Sequence, residues 1–347
     1  MGLRRASLCL LLLSSCLAAA APAPEVQGLL GRMAEASKQL NYQGSLVYLH
    51  EGQLSTLKLT HVRDDDQEWE HLIKVDGKST EVLRGGGDVI YRSPKGAATR
   101  LSSLPALARP QSLVNHLTNL DQYYDSTVSE GTRIAGREAV HLQLKPRDQD
   151  RYGYEFYLDK STGLLLKSVM LNQTNEPLEI VSFSEIKIGP KVGLNEFKAA
   201  RKPTASTTAS AAGKTGGRGA STTSRGTAPV TTPPVAPLVA SKPPEPLDWQ
   251  LWMPSGFTAA GPVRHKRING APVEVATYSD GLSSFSFFSE SVKADKVPAE
   301  SQRQRGSTAY VSRQRLVGNQ AFLITVVGEL PLSVVQRIAD SAARPAL

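Results

Sequence analysis

The chain has 347 residues, with 40 Lys or Arg against 32 Asp or Glu, a formal charge of +8, and only two cysteines. That length suits two domains of ordinary size. Two cysteines exclude a disulfide framework and a cysteine-built zinc module.

The N-terminus reads as an export signal. Arg4 and Arg5 form its basic start, Ala6–Leu13 its short apolar run, and Ala18–Ala21 its small-residue cleavage region. The apolar run is too short for a transmembrane helix. Leu13-Ser14-Ser15-Cys16 resembles a lipobox, which offers lipid anchoring at Cys16 as the lesser alternative. A plain cut, giving a signal over 1–21, is preferred because the alanine stretch follows directly. It removes both Cys9 and Cys16, so the core alone must hold the mature chain together.

Residues 22–200 form the first module. Val26, Leu29, Leu30, Met33 and Leu40 recur at helical spacing and predict an amphipathic helix over Glu25–Leu40. Strand patterns follow at Tyr42–His50, Leu54–Val62, Trp69–Val75, Thr80–Arg84 and Asp88–Tyr91, with Gly85-Gly86-Gly87-Asp88 as a hairpin turn. Leu113, Val114, Leu117 and Leu120 predict a second helix over Ser112–Leu120. Strands resume at Tyr123–Val128, Glu138–Lys145, Arg151–Leu158, Gly163–Leu171 and Leu178–Ile188. Their alternation, as in Val140, Leu142 and Leu144 against His141 and Gln143, is that of a large antiparallel sheet with one apolar face. Around ten strands and two helices predict a strongly curved sheet or half-open barrel, with helices over its concave face.

Residues 201–247 read as a linker. Eight Pro, five Gly and fourteen Ser or Thr leave too little apolar surface to offset the entropy of ordering. As a flexible coil the segment would span roughly 35–40 Å. Gly213-Lys214-Thr215 within it lacks the upstream glycine and the strand of a phosphate-binding loop.

Residues 248–347 form a smaller α+β module. Trp249–Phe257 leads in, strands are expected at Val273–Ser279, Leu282–Ser289, Ser307–Arg313 and Gln320–Gly328, and a last helix starts at Pro331. The fold class is therefore α+β. Of the net charge, the signal and the linker carry +7, the first module −2 and the second +3. The positive balance lies mostly outside the folded modules.

No His-Glu-x-x-His, Gly-x-Ser-x-Gly or Gly-x-Gly-x-x-Gly pattern occurs. His50, His61, His71, His116, His141 and His265 are scattered, several at polar strand positions, and read as solvated. The acidic run Asp64–Glu70 fails the calcium-loop spacing and reads as an exposed loop. No catalytic residue, metal or cofactor is expected. Two features suggest binding. Leu46, Tyr48, Leu57, Leu59, Leu72, Val82, Ile90, Tyr154, Phe156, Leu166 and Val169 either fill an ordinary core or line a lipid cavity that the helices leave open. Arg264, His265, Lys266, Arg267, Arg303, Arg305, Arg313 and Arg315 make the second module locally basic. They form either a solvated face or a docking surface for an acidic segment or lipid phosphates.

Several motifs together resemble the MucB/RseB family. They are Leu40-Asn41-Tyr42 with Val47, Trp252-Met253-Pro254 with Gly256-Phe257, Tyr278-Ser279-Asp280-Gly281-Leu282 with Phe285-Ser286, and Val327-Gly328-Glu329-Leu330-Pro331 with Arg337-Ile338-Ala339. The resemblance implies an N-terminal LolA/LppX-like half-open barrel and a smaller C-terminal domain. It implies a periplasmic, non-enzymatic protein that binds the periplasmic segment of an inner-membrane anti-sigma factor and shields it from the site-1 protease. Lipid, lipopolysaccharide or mislocalised lipoprotein would then loosen that grip. Trp252, Tyr278 and Phe285 join Arg264, Lys266, Arg267, Arg303 and Arg305 as the implied partner-binding set. Export makes nucleic acid an unsuitable partner, and a homodimer is left open. The rival reading is a periplasmic lipid or lipoprotein carrier, which gives the second module nothing to do. The linker is longer than the resemblance leads one to expect, which puts a fixed interdomain geometry in doubt.

Overall fold

The computed structural model describes residues 23–64, 67–85, 88–94, 98–101, 120–189, 191–192, 247–268, 271–293 and 298–344. The signal segment and the linker, apart from its last residue Leu247, lie outside them, as does nearly all of the expected second helix; only its end is described, as the short α2 (Leu120–Tyr123).

Helix α1 (Ala23–Gln39) buries Val26, Leu30, Met33 and Ala36, spaced four, three and three residues apart, on one face. Among the described residues eleven strands follow: β1 (Tyr42–His50), β2 (Gln53–Asp64), β3 (Gln67–Lys74), β4 (Thr80–Gly85), β5 (Asp88–Arg92), β6 (Ala98–Leu101), β7 (Tyr124–Ile134), β8 (Arg137–Pro146), β9 (Gly153–Asp159), β10 (Leu165–Leu171) and β11 (Pro177–Ile188). They form one antiparallel sheet in the order β6-β5-β4-β3-β2-β1-β11-β10-β9-β8-β7. Two meanders thus meet where the first strand pairs the last, and the sheet stays unclosed between β6 and β7. Alternation decides which face is apolar. Leu142, Leu144, Tyr154, Phe156 and Leu158 turn inward and pack with Val26, Leu30 and Met33 of α1.

The inner face is not wholly apolar. His61 is fully buried, stacked on Tyr42 with 4.8 Å between ring centroids, and its Nδ1 lies 2.8 Å from the Leu40 carbonyl. This corrects the solvated reading for that histidine: Tyr42 pairs with His61 in the ladder, so both point inward. The acidic run is likewise more than a loop. Glu68 and Glu70 lie in β3, within 3.4 Å of His61 and 2.8 Å of Arg84 respectively. Asp65 and Asp66 lie outside the described residues.

Among the described residues the C-terminal domain has seven strands: β12 (Thr258–Ala259), β13 (Arg264–Ile268), β14 (Ala271–Ser279), β15 (Ser284–Val292), β16 (Ser301–Arg305), β17 (Thr308–Val317) and β18 (Gln320–Gly328). The order is β12-β14-β15-β18-β17-β16, with β13 also on β14. Helix α3 (Leu332–Ser341) follows Pro331 and packs Val334, Val335, Ile338 and Ala339 against Phe285, Phe287, Ile324 and Val326. No helix among the described residues is long and apolar enough to cross a membrane.

Candidate functional site

The turns of the C-terminal domain meet the N-terminal domain along a seam with two centres. The first is Arg151, between β8 and β9, whose side chain is fully buried. A guanidinium carries five N–H donors and needs acceptors for them when dry. Its Nε donates to Asp148 at 3.1 Å, its Nη1 to Asp280 at 2.8 Å, and its Nη2 to the Ser255 carbonyl at 2.7 Å. The same group lies over the ring of Tyr123, 4.6 Å from its centroid. Burial pulls the guanidinium down, but Asp148 and Asp280 more than restore it, so it stays charged.

The β14–β15 turn shapes itself to receive it. Asp280 Oδ1 accepts the N–H groups of Leu282 and Ser283 at 2.9 and 2.7 Å, leaving Oδ2 for Arg151. Leu282 then enters the N-terminal core beside Leu142, Tyr154 and Met170. Tyr154 Oη lies 2.8 Å from Ser283 Oγ. Gly256, at φ 87°, lies flat on Tyr123; a Cβ there would be 2.5 Å from the ring.

The second centre lies at the β1–β11 end. Tyr48 Oη donates to Glu179 Oε2 at 3.2 Å, and His50 Nδ1 is 3.5 Å from the same oxygen. Gly306, at φ 54°, closes on the His50 ring, where a Cβ would be 2.3 Å away. Gln304 Nε2 donates to Tyr152 Oη at 3.2 Å, and exposed Arg305 spans both carboxylate oxygens of Glu51. Glu329 follows β18 and is fixed by its N–H on the Ser284 carbonyl at 3.0 Å. Its carboxyl has no cation or hydrogen-bond donor among the described residues. Burial, and then the charge of Glu179, push it up to about 7. Burial also raises Glu179, against the opposing pull of His50 and Tyr48.

Of the expected lipid-lining residues, Leu46, Tyr48, Leu57, Leu59, Leu72, Val82, Tyr154 and Phe156 share the inner face through the strand register. Leu166 is buried at an irregularity of β10. Ile90 and Val169 stand on the opposite face: Ile90 pairs with Leu83, itself opposite His71, and Val169 pairs with Ile180. That face bears a polar groove of about 680 Å³ lined by Lys58, His71, Glu81, Arg92, Glu185 and Lys187.

The basic residues do not form one patch. Arg264, Lys266 and Arg267 lie exposed on β13 at one edge of the sheet, while Arg303 and Arg305 lie on β16 at the other. Arg305 serves the seam. Arg313 is paired with Asp340 at 2.7 Å, and Arg315 caps α3 through the carbonyls of Ala339, Asp340 and Ala342. Trp252 lies under the Arg337 guanidinium, Tyr278 stacks on Phe285, and Phe285 is buried in the core. Arg151 and Glu179 escaped the sequence reading. Arg151 ends a charged run that reads as solvated, and Glu179 alternates with apolar neighbours on a strand.

Comparison with known proteins agrees with this two-domain architecture. Residues 25–201 match the family model of the MucB/RseB N-terminal domain, and residues 243–343 that of the MucB/RseB C-terminal domain. The chain belongs to the MucB/RseB family. The sigma factor AlgU regulatory protein MucB of Pseudomonas aeruginosa is 32% identical over 98% of this chain and 97% of its own length. The sigma-E factor regulatory protein RseB of Haemophilus influenzae is 25% identical over 97% of each. A crystal structure of MucB in complex with MucA(peri) covers 92% of this MucB/RseB chain and 99% of its own, at 29% identity and a TM-score of 0.64. A P. aeruginosa MucA/MucB complex gives 28% identity and a TM-score of 0.66, over 93% and 100% of the two chains.

Proposed function

We propose that this chain is a periplasmic regulator. It grips the periplasmic segment of a membrane anti-sigma factor, shields it from site-1 proteolysis, and releases it when lipid, lipopolysaccharide or mislocalised lipoprotein engages the N-terminal domain. The observation that carries this reading is the likeness, over 92% of the chain, to MucB crystallised with MucA(peri). The seam supports the coupling. Tyr48 and Tyr154 belong to the apolar inner face and also bond groups of the seam, Tyr154 directly to Ser283 of the other domain. A ligand that repacks these rings disturbs the domain contact, and two ligands that prefer different domain arrangements weaken one another reciprocally. A lipid chain gains ~0.8 kcal/mol per buried methylene, so a few methylenes outweigh a typical coupling of ~1–3 kcal/mol.

The test uses the purified mature chain and the periplasmic segment of its organism's own anti-sigma factor. Binding and protection of the segment from the site-1 protease are expected. Saturating lipopolysaccharide should raise Kd by roughly 5–150-fold. No binding would sink the reading, and an unchanged Kd would remove its lipid arm. Reversing the charges of Arg264, Lys266 and Arg267 should weaken binding and flatten its salt dependence. Half-buried Leu59 and Val82 on the inner face also suit a lipid carrier. In that case lipid handed to an acceptor would be the readout, and no anti-sigma segment would be retained.

A further inference from the structure

We propose that β16 is the strand on which the partner is held: an extended, acidic stretch of the anti-sigma segment adds to this edge and continues the C-terminal sheet. This inference rests on the partner reading above and names where, and by what contacts, the segment binds.

Strand β16 ends the sheet, and no strand among the described residues lies beyond it. All five of its residues are exposed. Its register with β17 fixes which backbone groups point outward. Gly306, at φ 54°, and Ser307 form a two-residue hairpin turn between Arg305 and Thr308. The pair flanking such a turn exchanges both ladder hydrogen bonds, and bonded and non-bonded pairs then alternate. Arg305, Arg303 and Ser301 therefore bond to β17, whereas the N–H and C=O groups of Gln302 and Gln304 point away from it. They are spaced as an added strand requires.

The side chains select the occupant. Gln302 and Gln304 stand opposite buried Val311 and Ala309, on the face covered by α3, and Gln302 accepts from Arg313 and Gln336. Arg303 and Arg305 stand on the other face. Arg305 is engaged by Glu51. Arg303 makes no ion pair or hydrogen bond among the described residues, and its neighbours across the sheet, Tyr310, Val327, Ser286 and Thr277, include no acid. An acidic side chain on the added strand, opposite Arg303, answers that charge. A second copy of the chain does not, because antiparallel pairing of two such edges sets Arg303 opposite Arg303. Nor does the linker, with six basic residues and one acid. Strand β16 also belongs to the seam, through Gln304 on Tyr152 and Arg305 on Glu51. A strand added here lies beside the contacts that join the domains.

The experiment uses the mature chain and the periplasmic segment of its organism's own anti-sigma factor. Amide hydrogen exchange is followed residue by residue with and without the segment. Gln302 and Gln304 should gain the most protection within β16, roughly tenfold or more. Gln302→Pro removes an outward N–H and no ladder bond, and should weaken binding roughly tenfold or more. Gln302→Ala loses the same side chain but keeps the N–H, and should bind within about twofold of the parent. Arg303→Glu should weaken binding, and lysine at one of the segment's acidic positions should restore it. If the parent chain does not bind the segment, the partner reading fails and this inference with it. If it binds but Gln302 and Gln304 gain no protection, or Gln302→Pro binds as the parent does, strand addition alone is overturned. A dimer of the segment-free chain that Gln302→Pro abolishes, read by light scattering, gives the edge to a second copy and also overturns it. Should Gln302→Pro not fold, the exchange of the parent chain decides.

Discussion

The two centres of the domain seam solve the same problem in opposite ways. At Arg151 a buried cation meets Asp148, Asp280 and a backbone carbonyl, and Leu282 of the same turn as Asp280 packs into the N-terminal core. At the second centre the Tyr48 hydroxyl donates to Glu179, and the carboxyl of Glu329 has no cation or donor among the described residues and is raised by burial and by the charge of Glu179. A fully satisfied ionic contact resists disturbance, because breaking one partner leaves an uncompensated charge. An undersatisfied one responds to small changes in protonation or packing. The first centre suits a fixed pivot and the second a releasable edge.

Substitutions sharpen the contrast. Arg151→Ala strands Asp280 and should cost about 3–5 kcal/mol, splitting denaturant unfolding into two transitions as the domains separate. A single transition with an unchanged midpoint would show that Arg151 is not the pivot. Leu282→Ala removes a side chain that is 4% exposed and packed in the other domain's core; about 2–5 kcal/mol is expected by the same measurement. Tyr154→Phe keeps the ring and loses only the hydroxyl on Ser283, about 1 kcal/mol. Arg305→Gln breaks an exposed pair with Glu51 and should leave the midpoint unmoved. A large effect there would mean the second centre is as rigid as the first.

Much of the fold could be read from periodicity. Helix α1 and most strands follow from alternation and helical spacing, because one buried face imposes a period on the sequence. Strands β13 (Arg-His-Lys-Arg-Ile) and β16 (Ser-Gln-Arg-Gln-Arg) were missed for a physical reason. They are edge strands exposed on both sides, where polar and basic residues discourage further pairing and leave no alternation to read. Their basic residues therefore looked like one patch, though the sheet places them at opposite edges. The motifs that carry the family resemblance could also be read, but not their purpose. Ser255 to Phe257, Asp280 to Ser283 and Glu329 all lie at the seam. A contact between residues more than a hundred positions apart has no local signature; only the Asp280-Gly281 turn hinted at one end of it.

The pairing of β1 with β11 has a consequence for how the N-terminal domain divides. Nine register pairs, from Tyr42 with Ile188 to His50 with Glu179, join the beginning and end of the domain at the middle of its sheet. The strands at the two rims, β6 and β7, are neighbours in sequence. A single backbone cut between residues 102 and 119 therefore severs no ladder among the described residues. It leaves two meanders that still hold each other through one central zipper, so separately expressed halves are suited to reassemble by complementation.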